Sequence, residues 1–345
     1  MPSVLSRAFG SEDLAENRSQ RKEFLDCTLS AAKSSDIIPD VEIDLSLVKY
    51  SGLNLATELE NSINQVLKDT CSKIPGFVQR LGCASAPFTR VPNAVGLGAV
   101  AVSIALELII AAQDEDKENK NNTLDMMRRV FAEEKPSGVR DSMDEYLKRL
   151  RMYLDQLTRA LEETERLEKQ LSEQLTRLKN SMLHDNQMSS GSLKHWTNGA
   201  AFHLQMLIHA ARLKTQSSTE HQEELQVHVA SIESVLNLYQ FDLEELLKQY
   251  KTYKKPTISL THPARWYRLF YHPLDPVTSI LETFWFVKDK ELDRETSSMY
   301  YPLMVRVSRD GYLDYMFDNW DQLKELKNYF SDLKKNVKAL IIQNA

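Results

Sequence analysis

The side chains with the means for chemistry in this chain are its eight histidines, several paired carboxylates, and a basic and aromatic block towards the C-terminus. A helix brings residues i and i+4 to one face, the spacing on which a zinc-binding H-E-x-x-H depends. His203 with His209 and His221 with His228 do not have it, no cysteine stands beside them, and no H-E-x-x-H occurs. The sequence therefore assigns no metal ion. Cys27, Cys71 and Cys83 are an odd number without a C-x-x-C pair, which encodes neither a zinc site nor a full disulfide framework and fits a reducing compartment. Glu162-Glu163 and Glu244-Glu245 are carboxylate pairs, but on helices such pairs read as solvated faces. Gly96-x-Gly98 has neither a preceding strand nor a phosphate-binding lysine, and G-x-S-x-G is absent, so nucleotide and acyl-transfer motifs are missing. The expectation is a non-enzyme without cofactor.

Interfacial chemistry is better represented. Between Glu245 and Asp275 no acidic residue occurs, while Lys248, Lys251, Lys254, Lys255, Arg265 and Arg268 alternate with tyrosines, Trp266 and Phe270. Basic and interfacial aromatic side chains together are what an anionic bilayer attracts, at about 1 kcal/mol per Lys or Arg near the surface. Lys251, Lys254, Lys255, Arg265, Trp266, Tyr267 and Arg268 are accordingly the candidate membrane-docking residues. The competing reading is a packed cap at the end of a bundle with solvated lysines. A formal net charge of −6 and a pI near 5.8 argue against general nucleic-acid binding, which needs a basic surface.

Val91–Gln113 is the one stretch whose composition suits lipid or a deep core. It is uncharged through Leu106, carries the single carboxylate Glu107, and resumes as Leu108-Ile109-Ile110-Ala111-Ala112. A membrane-spanning helix needs about 20 mostly apolar residues, so the stretch is just long enough, although Glu107 is costly in hydrocarbon unless protonated or paired. Candidate insertion residues are Val95, Gly96, Gly98, Val100, Ala101, Val102, Ile104, Ala105, Leu106, Leu108, Ile109 and Ile110, with Glu107 the pH-sensitive position. Ala94, Gly98, Ala101, Ala105 and Ala112 make a stripe of small side chains along which another helix can approach closely. The alternative is a permanently buried central helix.

These residues must be positioned by helices. Only 10 glycines occur in the chain, too few for the tight turns of a β-rich fold. The spacing predicts a helix over 12–33, within a polar N-terminal segment over 1–40 that is partly helical or disordered, and a helix over 53–70 ended by Pro75-Gly76. From Met143 to Met182, steps of four and three fall on leucines except at Thr164 and Glu168, a heptad of coiled-coil grade. It predicts one continuous helix over 141–183, about 60 Å long. A helix over 195–214 follows, with Ala200, Leu204, Leu207 and Ala211 inward. Leu225, Val229, Ile232, Leu236, Tyr239, Leu243, Leu246 and Tyr250 form a second unbroken seam, expected to fold back on the first as an antiparallel hairpin. Beyond it, four prolines between 256 and 276 preclude one long helix; short helices are predicted over 264–271 and 277–286. Asp310-Gly311 between Leu303–Val307 and Tyr312–Tyr315 predicts a small β-hairpin, and Asp318 is read as the cap of a last helix running to Ile342. The fold class expected is an all-α elongated bundle, with an N-terminal segment 1–40, a bundle 41–255 and a C-terminal region 256–345.

The order of Val91–Gln113, an acidic exit, then the heptads Met143–Met182 and Leu225–Tyr250 resembles the layout of α-helical pore-forming proteins of the cytolysin A class and, more loosely, of the apolipoprotein L family. The likeness is one of arrangement. It implies a form that buries the apolar segment and a membrane form that exposes it, usually as an oligomer. With no signal-peptide pattern at the N-terminus, the expectation is a cytoplasmic, membrane-associating helical protein of pore-forming or membrane-remodelling type. The alternative is a cytosolic scaffold or interaction module whose heptad helices bind a protein partner or a second copy.

Overall fold

The computed structural model describes residues 5–44, 47, 138–153, 156–217, 221–261, 264–268, 279–300 and 307–342. These are mostly helical: α1 (Leu5–Ser34), α2 (Gly138–Met152), α3 (Leu157–His184), α4 (Ser190–Ser217), α5 (His221–Thr257), α6 (Arg309–Asn319) and α7 (Asp321–Ile342). Five strands, β1 (Ile258–Thr261), β2 (Ala264–Arg268), β3 (Ser279–Asp289), β4 (Arg294–Glu295) and β5 (Met299–Tyr300), complete the described chain. Val91–Gln113 with Glu107 and all the insertion candidates, the expected helix over 53–70, Cys71 and Cys83 lie outside the described residues. Among the described residues no helix is long and apolar enough to cross a membrane.

The described residues fall into two compact units, one within 1–40 and 248–321, the other within 41–247 and 322–345. In the second unit α4 is the centre. From His195 to Leu213 every residue except the half-buried Leu207 is buried. Its neighbours are α2, α3, α5, α7 and the extended segment 41–44. Close approach depends on Gly199, where a Cβ would lie 2.7 Å from the Leu175 side chain of α3 and 2.8 Å from Val139 of α2. Asn198 pins the extended segment by accepting from the Asp44 amide (2.8 Å) and donating to the Glu42 carbonyl (2.9 Å). α5 turns its whole expected seam inward: Leu225, Val229, Ile232, Leu236, Tyr239, Leu243, Leu246 and Tyr250 are all buried. α7 runs antiparallel to α5, with Lys334 donating to Asn237 (2.6 Å) and Gln240 to Ser331 (3.2 Å).

One heptad expectation is corrected. The stretch 141–183 is two helices, because the chain turns at Tyr153 and Gln156, whose amide donates to the Tyr153 carbonyl (3.0 Å). α3 then folds back along α2, bringing Gln174 beside Gly138. The buried row of α3 is Ala160, Thr164, Leu167, Leu171, Leu175 and Met182, and α4 takes the place beside it that the sequence assigned to α5. Asn186, at φ 57°, ends α3 in the left-handed conformation that asparagine tolerates.

In the first unit a small antiparallel sheet sits with α1, α6 and the last turns of α5. β1 and β2 continue one register against β3, Ile258 opposite Asp289 and Ala264 opposite Thr283. Two residues cannot carry the chain across β3, so both lie on one edge. β4 and β5 take the other edge, their registers offset by one residue, as at a bulge. The sheet is three-stranded in effect. This corrects the short helices expected over 264–271 and 277–286. In β3 the period is two, with Trp285, Val287 and Asp289 buried and Phe286 and Lys288 half-buried. Trp285 meets Phe24 of α1 edge to face at 4.8 Å.

The expected hairpin at Asp310-Gly311 is also corrected. Both residues lie in the first turn of α6, where the Ser308 hydroxyl caps the helix by accepting from the Gly311 amide (3.1 Å). A cap satisfies an amide that a helix start leaves unpaired, and here it prevails over the turn preference of Asp-Gly. Asp318 lies inside α6, and the last helix starts at Asp321.

Candidate functional site

A helix at the centre of a bundle would ordinarily be apolar throughout, yet α4 buries His195, Thr197, Asn198, His203, Gln205, His209 and Arg212. A buried polar group without a hydrogen bond is costly, and the neighbouring helices supply partners. His203 Nδ1 is 2.8 Å from the Tyr239 hydroxyl of α5, and its Nε2 is 3.1 Å from Glu168 Oε2 of α3. His209 Nδ1 is 2.5 Å from the Tyr146 hydroxyl of α2. Arg212 donates to the Leu340 carbonyl of α7 (3.1 Å). Each neighbour is thereby tied to α4 by a specific polar contact.

Burial raises the Tyr239 hydroxyl well above its ordinary value, with Asp242 and Glu168 adding to it, and burial likewise raises Tyr146. Both stay protonated and donate to Nδ1. The arrangement gives a consistent relay: Tyr239 O–H to His203 Nδ1, and His203 Nε2–H to Glu168. Arg212 is pushed down to about 10 by burial.

The outer end of the relay reaches a cleft of about 260 Å³ between α3, α4 and α5, with an apolar floor of Leu207 and Ile232 and a rim of Glu165, Glu168, Lys214 and His228. Lys214 and Glu165 pair across it. Burial lowers His228, and the Lys214 charge lowers it further. The rim offers carboxylate, ammonium and imidazole groups, but the tyrosine hydroxyls lie inside the bundle and do not present a nucleophile to the cleft. Among the described residues no group of His, Cys, Asp and Glu is arranged to hold a metal ion.

Thr164 and Glu168, which interrupt the heptad, carry the signal that sequence reasoning could have used. Thr164 is buried and donates to the Ala160 carbonyl (2.6 Å), and Glu168 is the partner of His203. A polar residue in an otherwise apolar seam points to a buried polar partner opposite.

The candidate docking residues lie on two elements, the last turns of α5 and β2. Lys254 does not face solvent: it is completely buried, bound to Asp289 and, at 2.8 Å, to Glu291. The stretch 246–274 lacks acids of its own, but the β3 end and the turn after it bring them. Lys251 pairs with Asp314 at 2.8 Å and Lys255 with Asp310 at 3.6 Å, both remaining partly exposed. Arg265, Trp266, Tyr267 and Arg268 lie on β2. No protein-family model matches the chain, and no curated protein or solved structure matches it either.

Proposed function

We propose that this chain is a membrane-active helical protein in which a bundle closed around α4 carries Val91–Gln113 as a segment for insertion into, or association with, a lipid bilayer. The observation that supports this reading is that α4 occupies the centre of the described bundle, tied to α2, α3, α5 and α7 by its polar contacts. Among the described residues α4 fills the central place that the alternative reading gives to the apolar segment. Lipid docking, on this reading, is carried by Arg265, Trp266, Tyr267 and Arg268, with Lys251 and Lys255 contributing when their exposed ion pairs open. Lys254 takes no part. Pore formation or membrane remodelling would follow from association of several inserted segments along the Gly98, Ala101 and Ala105 stripe.

Co-flotation of the purified protein with neutral and anionic liposomes, with dye release at pH 7 and pH 5, tests the proposal. Binding with release, stronger at pH 5 where Glu107 protonates more readily, is expected. Ala101→Asp should abolish binding while circular dichroism stays helical. Failure to float under every condition would refute the reading.

A second reading, a helical interaction module, is favoured by Leu238 and Phe241, which are 62% and 59% exposed on α5. Large apolar side chains grouped on an outer helix face mark contact sites more often than isolated ones do.

A further inference from the structure

The outward side of α5 is not the charged face that a bundle helix normally turns to water. Val227, Leu238 and Phe241 are 67%, 62% and 59% exposed, and on a helix of 3.6 residues per turn they share one stripe with Ala230 and Ser234. That stripe lies opposite the buried row from Leu225 to Tyr250. Its ends carry a net negative charge: Glu223 and Glu224 precede it and Glu244 and Glu245 close it, all four exposed, with a single exposed cation, Lys248, one turn beyond Glu244. None of the four forms an ion pair with a lysine or arginine among the described residues. Lys334 touches the stripe at its edge, through Asn237.

We infer that this stripe docks a cationic amphipathic helix of another protein, about 21 residues or roughly 30 Å long, with an apolar row between basic first and last turns. The inference rests on the interaction-module reading and adds the chemistry of the partner. The middle of the stripe supplies the apolar contact of a helix laid along a helix. The ends choose the occupant. A second copy laid antiparallel would set Glu223 and Glu224 against Glu244 and Glu245, and laid parallel would set each pair against itself, so like charges meet either way. An anionic bilayer is repelled by the same four carboxylates. Lysine or arginine at both ends of a partner helix is attracted, and charge at the rim also speeds encounter.

The test titrates the full-length protein into a fluorescent synthetic peptide of 21 residues, with leucines at helical spacing and lysines in the first and last turns. A second peptide has glutamates in place of the lysines. Saturable binding of the lysine peptide is expected, at least tenfold tighter than that of the glutamate peptide and weakened in 0.5 M salt. Phe241→Ser should reduce it at least tenfold, and the pair Glu244→Lys with Glu245→Lys should shift preference towards the glutamate peptide. These positions are exposed, so unchanged circular dichroism and melting identify a folded variant. Equal or tighter binding of the glutamate peptide, removed by Phe241→Ser, would overturn the cationic partner while leaving an interaction module standing. Dimerisation in sedimentation that Phe241→Ser removes would overturn it in favour of a second copy. No saturable binding of either peptide by a monomeric protein would overturn both the inference and the module reading.

Discussion

The two units bury polar groups in different ways. Around α4 the buried contacts are mainly between neutral groups: Tyr239 to His203, Tyr146 to His209, and Asn198 to the backbone of Glu42 and Asp44. In the sheet unit the buried cluster is charged, with Lys254 and Asp289 both fully enclosed and Glu291 nearly so. A neutral pair loses little by leaving water and can be repeated along a helix. Each ion of a buried cluster loses several kcal/mol of hydration, which only its partners offset. The bundle therefore tolerates graded damage to its spine, whereas the sheet unit depends on the completeness of one cluster.

Raising the pH attacks both regions together and should have the largest effect. Burial holds the hydroxyls of Tyr146, Tyr239 and Tyr312 above their ordinary value and pushes Tyr329 up to about 12. A folded pKa above the unfolded value, about 10 for tyrosine, means that the folded state holds the proton more tightly. The resulting stabilisation is complete below pH 10 and is lost as pH rises above that, at about 1.4 kcal/mol for each tenfold difference in proton affinity between the folded and unfolded states. Tyrosinate absorbance should lag behind that of free tyrosine and then rise in one step with loss of helical circular dichroism. A smooth titration with the fold intact would contradict the burial of these hydroxyls.

Lys254→Met separates the regions. It leaves Asp289 enclosed without its cation and should cost about 3–5 kcal/mol in urea unfolding. Lys254→Met combined with Asp289→Leu should recover much of that loss. Tyr239→Phe in the bundle deprives His203 Nδ1 of its donor and should cost about 1–3 kcal/mol. Gly199→Ala, which sets a methyl against Leu175 and Val139, is expected in the same range of about 1–3 kcal/mol. The smallest effect is expected for Lys33→Ala. Lys33 meets Asp321 at 2.5 Å, but the two side chains are 43% and 63% exposed, and such pairs contribute less than about 1 kcal/mol. If Lys33→Ala proved as damaging as Lys254→Met, burial would not be what distinguishes the two pairs.

The seam of α5 was legible because it faces the core along its whole length, so the heptad and the burial coincide from Leu225 to Tyr250. The break between α2 and α3 was not. Tyr153 to Gln156 contain neither glycine nor proline, and a helix that folds back keeps its apolar residues inside just as a straight one does. β3 escaped because its proline-rich approach suggested only short helices, while the alternation of Trp285, Val287 and Asp289 is brief and ends on a carboxylate that a sheet face ordinarily excludes. Asp289 is inside because Lys254 is there, and those residues are 35 positions apart. The same limit hid the relay. Thr164 and Glu168 marked the place on α3, but nothing in the spacing of His203 or Tyr239 connected them to it before three helices were packed.

Hydrogen exchange read by mass spectrometry, with and without anionic liposomes at pH 5, tests the central claim most directly. If the bundle is closed around α4 while Val91–Gln113 engages the bilayer, α4 peptides from His195 to Leu213 stay protected in both conditions and peptides from Val91–Gln113 gain protection with lipid. Unchanged exchange in Val91–Gln113, or loss of protection throughout α4 on binding, would contradict it.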